Sequence, residues 1–403
     1  MGTTVTCVRI DLLTREYPPE VYGGAGVHVE NLASVLRKRV EVRVRAFGAE
    51  RAEAGVTSYR EPEGLADVNP ALRTFGVDLA MAADCASADL VHSHTWYANL
   101  AGHLAGLLHG IPHVVSAHSL EPLRPWKAEQ LGGGYALSSW AESTAYLGAA
   151  AIIAVSEGMR QDILRCYPQV DPQRVRVVHN GIDLTNWSRQ EDSRAVAELG
   201  IDAQRPSVVF VGRITRQKGL PYLLRAAESL PRDVQLVLCV GAPDTPEIAA
   251  EVSELVEGLR RRRQGVVWIE RMLPRRQLCQ VLSVATVFAC PSVYEPLGIV
   301  NLEAMACEAA VVGTATGGIP EVVRDGVTGR LVPIDQAQDG TGTPKDPEGF
   351  VADLARVLTE VVSDPQRARE MGRAGRASAE EHFSWDRIAD RTIEVYRSVL
   401  GQR

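Results

Sequence analysis

Hydrophobic residues along this chain come in short runs, and between the runs lie longer stretches in which apolar positions recur every third or fourth residue. Val5 to Leu13, Val40 to Phe47, Leu90 to His94, His113 to His118 and Ala151 to Val155 are short and mostly rich in β-branched residues, which predicts strands. Val40 to Phe47 alternates apolar and polar cleanly. Val27 to Arg37 has apolar residues at 27, 29, 32, 35 and 36, a helical spacing, and 97–108 and 136–149 are Ala- and Leu-rich helical stretches. Strand alternating with helix at this interval predicts a parallel sheet covered on both faces. Ligands of such sheets collect at the carboxyl ends of the strands, where His94, His118 and Ser156 fall.

The alternation pauses over the polar stretch 184–206 and then restarts, with strands expected near 207–211, 234–240, 265–269, 284–290, 309–313 and 328–332. The pattern therefore divides the chain into a Rossmann-like domain over 1–183, a linker over 184–206, a second Rossmann-like domain over 207–383 and a C-terminal helix over 384–403. Pro347 to Leu400 reads as all helical, with Trp385 and Tyr396 as anchors and the last helix packing back on the first domain. The fold class is α/β, two parallel-sheet domains.

Composition narrows the chemistry. A net charge of −7 argues against a nucleic-acid partner, whose phosphates call for Lys and Arg in excess. Seven scattered cysteines, mostly inside apolar runs, read as free thiols of a reducing cytoplasm. No run of about 18 apolar residues announces a membrane span, and no secretory leader is expected. Met1 to Thr6 fits the bare N-myristoylation pattern, but Thr4 to Leu13 continues as an apolar-rich strand, which speaks against lipidation. Cytoplasmic localisation follows as the expectation.

Candidate chemistry sits in loops after strands. Thr14 to Gly26 carries three glycines between a strand and a helix, an arrangement that brings backbone N–H groups to an anion, although Val29 stands where a dinucleotide fingerprint needs its third glycine. Val211-Gly-Arg-Ile-Thr-Arg-Gln-Lys-Gly219 holds Arg213 and Lys218, which can neutralise a diphosphate or be ordinary surface charge. Glu295 precedes a helix that carries Glu303, and the helix is apolar nearly all round. An interior carboxylate needs partners, either a core Arg or a pair of ligand hydroxyls. Thr316-Gly-Gly-Ile-Pro-Glu321 is a further anion-seeking loop through Gly317 and Gly318. Six of nine histidines, at 92, 94, 103, 109, 113 and 118, lie close in sequence, but they spread over two strands and a helix without a carboxylate or cysteine among them, so no metal site is expected. The loop Ser119 to Tyr135 offers Trp126 and Tyr135 for stacking and Arg124 and Lys127 for a phosphate, with plain loop packing as the alternative. Arg260 to Arg263 reads as the basic last turn of a helix.

Taken together, Gly212-Arg213 with Lys218-Gly219, Glu295-Pro-Leu-Gly298 with Glu303-Ala304, and Gly317-Gly318-Ile-Pro-Glu321 resemble the signature set of retaining GT-B glycosyltransferases, and the likeness covers nearly the whole chain. Thr14 to His28 resembles the short glycogen-synthase-like branch of actinobacteria, the maltose-1-phosphate synthases. The longer starch-type synthases carry a lysine before the Gly-Gly where Val21 and Tyr22 stand here, and they lack the acid at Glu303. The resemblance implies a GT-B architecture, with an acceptor domain and a nucleotide-sugar domain facing a central cleft. It implies ADP-glucose as donor, glucose 1-phosphate or a glucan end as acceptor, and no cofactor or metal. By residue, it implies Arg213 and Lys218 on the diphosphate, Glu303 on the ribose, Glu295 and His118 on the transferred glucose, Gly317 and Gly318 as backbone donors, and Gly23 and Gly24 closing over the diphosphate. A catalytically silent nucleotide-sugar sensor is the rival of another class. The donor base and the oligomeric state, a homodimer included, are not legible.

Overall fold

The computed structural model describes residues 8–401 apart from 126, 129–131, 193 and 338. Two compact units make up the chain, Met1–Gly181 with Trp385–Arg403, and Ile182–Ser384. Where the chain passes between them, the Ile182 N–H donates to the Phe383 carbonyl at 2.8 Å.

The first unit is built on seven strands, β1 Arg9–Thr14, β2 Glu41–Phe47, β3 Val56–Tyr59, β4 Leu90–His94, β5 His113–Ala117, β6 Ala151–Ala154 and β7 Val175–Val177, in the order β3-β2-β1-β4-β5-β6-β7. Every pairing is parallel. All residues of β4 and β5 are buried, as expected for central parallel strands covered on both faces. On one face Ile10, Leu12, Val44 and Leu90 meet Leu32 and Leu36 of the helix Gly24–Leu36, together with Trp385, Ile388, Tyr396 and Val399 of the helix Trp385–Leu400. On the other, Leu13 and Val91 pack with Val77 and Met81 of the helix Pro70–Asp84 and with Ala101 and Ala105 of the helix Trp96–His109. Each fully buried Leu contributes about 1.5–3 kcal/mol of transfer free energy.

The second unit has β8 Ser207–Ile214, β9 Gln235–Pro243, β10 Val266–Ile269, β11 Val287–Cys290, β12 Ala310–Thr314 and β13 Gly329–Val332, again all parallel, in the order β10-β9-β8-β11-β12-β13. Strand order reverses between β1 and β4 in the first sheet and between β8 and β11 in the second. Such switch points open a crevice at the strands' carboxyl ends. The loops after β1, β5, β8, β11 and β12 carry the sequence-predicted residues, with His94 at the end of β4, Arg213 near the end of β8 and Glu303 on the helix that follows the loop after β11.

Several expectations need correction. The stretch 184–206 is not a linker but folds within the second unit, where Trp187, Val196 and Ile201 are buried and Gln190 donates to Ser283. Val284 ends the helix Arg275–Val284, so the strand starts at Val287, because an apolar residue serves a buried helix end as well as a strand. The polar face of β2 meets solvent only at its start: Glu41 is exposed, whereas Arg45 is buried and bonds Asp11 at 2.6 Å and the Tyr59 hydroxyl at 2.6 Å. Arg263 is likewise turned inward onto the carbonyls of Ala227, Leu230, Pro231 and Val234. Among the described residues no helix is long and apolar enough to cross a membrane, and the six cysteines are free thiols, Cys7 lying outside them.

Candidate functional site

The second unit brings Arg213, Lys218, Glu295, Gly317 and Gly318 together around the ends of β8 and β11. After β8 the chain makes a short turn, Arg216–Lys218, capped by the Thr215 hydroxyl accepting from the Lys218 N–H. Gly219 closes this turn in the left-handed region at φ 64°, and a Cβ there would stand 2.0 Å from the Pro291 carbonyl oxygen, so only glycine lets the two loops touch. The Val293 N–H donates to the Gln217 carbonyl, which fixes the loop after β11 against the loop after β8.

In this frame the Lys218 ammonium donates to Glu295 Oε2 at 2.6 Å, and the Ser292 hydroxyl donates to the same oxygen at 3.1 Å. Glu295 is buried. Burial works against the Lys218 charge, but the Glu295 carboxylate more than offsets it and the ammonium pKa is raised. Arg213, on β8 beside a register shift, pairs with Asp244 at 2.6 Å. Both sequence-predicted cations are therefore held by carboxylates of the same unit. The Gly317 backbone, at φ 54°, lies so close to Glu295 that a Cβ would come within 2.0 Å of its carbonyl oxygen. The Gly318 N–H donates to that carbonyl at 3.0 Å.

Glu303 lies on the helix Ile299–Ala306, partly buried, and its carboxylate has no hydrogen bond or ion pair among the described residues. The core-Arg alternative thus falls away. Burial first, then the neighbouring Cys279, pushes its carboxyl up to about 8, against the opposing pull of Arg275 and Lys218. Sequence reasoning misses its neighbour Asn301, which is fully buried with neither side-chain amide atom bonded. The signal was present, since Asn301 is the other polar residue of an otherwise apolar helix.

In the first unit the glycine-rich loop after β1 forms the start of the helix Gly24–Leu36, with Gly23 at its N-cap. Its amides already hold an anion: Glu16 Oε2 accepts from the Tyr22 and Gly23 N–H groups, both at 2.8 Å. His118 follows β5 and its Nε2 is 3.0 Å from His94 Nδ1. Burial lowers the His118 pKa to about 4, so its ring is neutral at physiological pH. His28, which sequence reasoning did not single out, joins them from the first helix, its ring 4.7 Å from that of His118. The Asn180 amide lies beside His28 without completing a hydrogen bond. His92 is a satisfied core histidine, bonded at Nδ1 to the Tyr396 hydroxyl at 2.7 Å and at Nε2 to Ser116 at 2.8 Å.

The loop proposed for an acceptor is packed from behind. The Tyr135 hydroxyl donates to the Glu121 carbonyl at 2.7 Å and Arg124 donates to Ser119, while Trp126 lies outside the described residues. Behind it are two buried carboxyls that the sequence does not announce. Glu142 accepts from the Glu121 N–H at 2.8 Å and the Tyr167 hydroxyl, and Ser138 donates to Glu121 Oε2. Burial, then the nearby Glu121, pushes the Glu142 carboxyl up to about 8.

Comparison with known proteins places these features. The family model Glycosyltransferase Family 4 matches residues 22–186, and Glycosyl transferases group 1 matches residues 205–360. Alpha-maltose-1-phosphate synthase of Mycolicibacterium smegmatis is 57% identical over 395 residues, covering 97% of this chain and 100% of that protein. The Mycobacterium tuberculosis protein of the same name is 55% identical over 397 residues, covering 98% and 100%. Among solved structures, sucrose-phosphate synthase from Thermosynechococcus elongatus superposes with a TM-score of 0.78 at 23% identity, covering 98% of this chain and 100% of that one. The parallel-sheet units are those of the GT-B fold. By its sequence over nearly its full length, the chain belongs to the glycosyltransferase family that contains the alpha-maltose-1-phosphate synthases.

Proposed function

We propose that this enzyme transfers glucose from ADP-glucose to glucose 1-phosphate with retention, forming α-maltose 1-phosphate as a cytoplasmic feed for α-glucan synthesis. The observation that carries the reading is the full-length relative at 57% identity that bears the name alpha-maltose-1-phosphate synthase. The pairs Lys218–Glu295 and Arg213–Asp244 support it, since each cation has an anion partner that a diphosphate can replace.

On donor binding, Arg213 and Lys218 exchange their carboxylates for the diphosphate. Released from Lys218, Glu295 accepts from hydroxyls of the transferred glucose, and Glu303 accepts from the ribose diol. From the first unit, Gly23 and Gly24 exchange Glu16 for the diphosphate, and the neutral His118 ring bonds a glucose hydroxyl. Gly317 contributes close approach of the backbone, Gly318 chiefly the position of Glu295. The bond from the anomeric carbon to the diphosphate breaks on the face where the acceptor oxygen bonds, and the departing phosphate oxygen takes the acceptor's proton. The two cations stabilise the charge that develops on ADP, which supplies most of the catalysis and asks nothing of a metal ion.

Purified enzyme incubated with radiolabelled ADP-glucose and either glucose 1-phosphate or glycogen tests this. A labelled, phosphatase-sensitive disaccharide with the first acceptor is expected, and turnover undiminished by EDTA. Product with glycogen alone overturns the acceptor, and absence of any turnover leaves the binding-only reading. Glu303→Ala is expected to weaken ADP-glucose binding about tenfold or more; unchanged affinity removes its ribose role.

A further inference from the structure

We propose that His28, His94 and His118 form a binding site for one borderline divalent cation, zinc above all, and that the bound ion blocks transfer. The blocking half rests on the assignment of His118 to the glucose; the site itself does not.

The three rings come from three elements of the first unit, the helix Gly24–Leu36, the end of β4 and the residue after β5. One ring nitrogen of each lies within 4.8 Å of the other two. Ring centroids are 4.7 Å apart for His28 and His118, 5.5 Å for His28 and His94, and 5.3 Å for His94 and His118. His28 and His94 are only 3% and 0% exposed, yet both nitrogens of His28 and Nε2 of His94 lack hydrogen-bond partners. His92, whose ring is 4.3 Å from that of His94, shows what a merely structural histidine looks like here, with both nitrogens bonded. A buried ring nitrogen without a hydrogen-bond partner costs free energy unless something takes it up.

An ion that takes imidazole fits that description. Zinc binds histidine nitrogen at about 2.0–2.1 Å, so three ligands of a tetrahedral ion stand about 3.4 Å apart. From a 4.8 Å limit, each ring needs to move by less than about 1 Å. The hydrogen bond between His94 and His118 gives way to the ion, and the fourth position is left to water or an anion. The group contains no carboxylate or carbonyl ligand, so magnesium and manganese are disfavoured and the later transition metals preferred. Because His118 is one of the ligands, the ion and the glucose hydroxyl compete for the same nitrogen.

Metal-free full-length enzyme is titrated with zinc chloride by calorimetry and with cobalt chloride by visible absorption. One ion per chain, cobalt bands of tetrahedral intensity and no heat with magnesium are expected. His28→Gln and His94→Gln, each checked for fold by circular dichroism, should lose the cobalt bands. Each should also raise the zinc concentration for half-inhibition at least tenfold relative to its own metal-free rate. Zinc-edge anomalous diffraction from a zinc-soaked wild-type crystal locates the ion without any variant. No uptake by wild type, cobalt bands retained in both folded variants, or anomalous density away from the three rings overturns the site. An ion bound at the rings with full transferase rate overturns instead the contact between His118 and glucose.

Discussion

The two candidate sites solve opposite problems. In the second unit the groups assigned to the diphosphate are charged and occupied: Lys218 holds Glu295, and Arg213 holds Asp244. In the first they are neutral and partly unoccupied, with His28 and His94 buried and short of partners. The difference follows from the cost of desolvation. A buried ammonium or carboxylate without a counter-charge is several kcal/mol too expensive to keep waiting for a ligand, whereas a neutral imidazole waits at the cost of about one lost hydrogen bond. Charged sites must carry stand-ins; neutral ones need not.

Lys218→Ala tests the charged side most severely. It removes a diphosphate contact and leaves the Glu295 carboxylate buried without its cation. A fall in kcat of about 10²- to 10³-fold is expected, with about 3–5 kcal/mol lost from unfolding in denaturant. Adding Glu295→Gln should recover much of the stability and none of the rate; a double variant no more stable than the single one breaks the stand-in account. His118→Asn probes the neutral side, where no counter-charge is stranded. Here kcat should fall about tenfold to a hundredfold while ADP affinity and the denaturation midpoint hold nearly steady. Asp244→Asn sharpens the comparison from the other direction. With Arg213 released from a half-exposed pair, the KM for ADP-glucose should drop, by up to about fivefold; a rise shows that Asp244 aims the guanidinium instead of competing for it.

The smallest expected effect concerns Glu303. Its carboxyl, pushed up to about 8 by burial, keeps its proton in the folded chain at pH values where the unfolded chain has released it. Between about pH 4.3 and 8 the folded state therefore binds more protons, and stability falls as pH rises through that window. Glu303→Gln lacks this slope. Its stability advantage over wild type should open from pH 5 to pH 8 by on the order of 1 kcal/mol and stay level above. A constant difference across that range means that Glu303 is ionised throughout and has a partner.

Much of this was legible in the letters, for a physical reason. Central parallel strands are buried on both faces, so β6 and β12 read as apolar runs, and their bounds fall within a residue or two of the expected ones. The edge strand β3, with the sequence Val-Thr-Ser-Tyr, has no such run, and the pattern gives no notice of it. The helix Pro70–Asp84 was available from its cap, since Asn69 accepts from the Ala71 N–H ahead of a first-turn proline, but its apolar residues are too scattered to stand out. At the sites, single-residue roles were readable where a loop follows a strand. Partnerships were not: that Glu16 would fill the amides of Tyr22 and Gly23 depends on how one loop folds back on itself, and that Arg45 would turn inward to Asp11 depends on which strands pair, neither of which an apolar pattern encodes.

The helix Trp385–Leu400 belongs to the same compact unit as β1, some 370 residues earlier in the chain. On the ribosome, the apolar face formed by Leu12, Leu32 and Leu36 must stay uncovered while the whole of Ile182–Ser384 is made, and that middle portion can reach its native form first. Truncation just after Ser384 should accordingly yield a polypeptide whose middle portion is protease-resistant while its opening portion is digested.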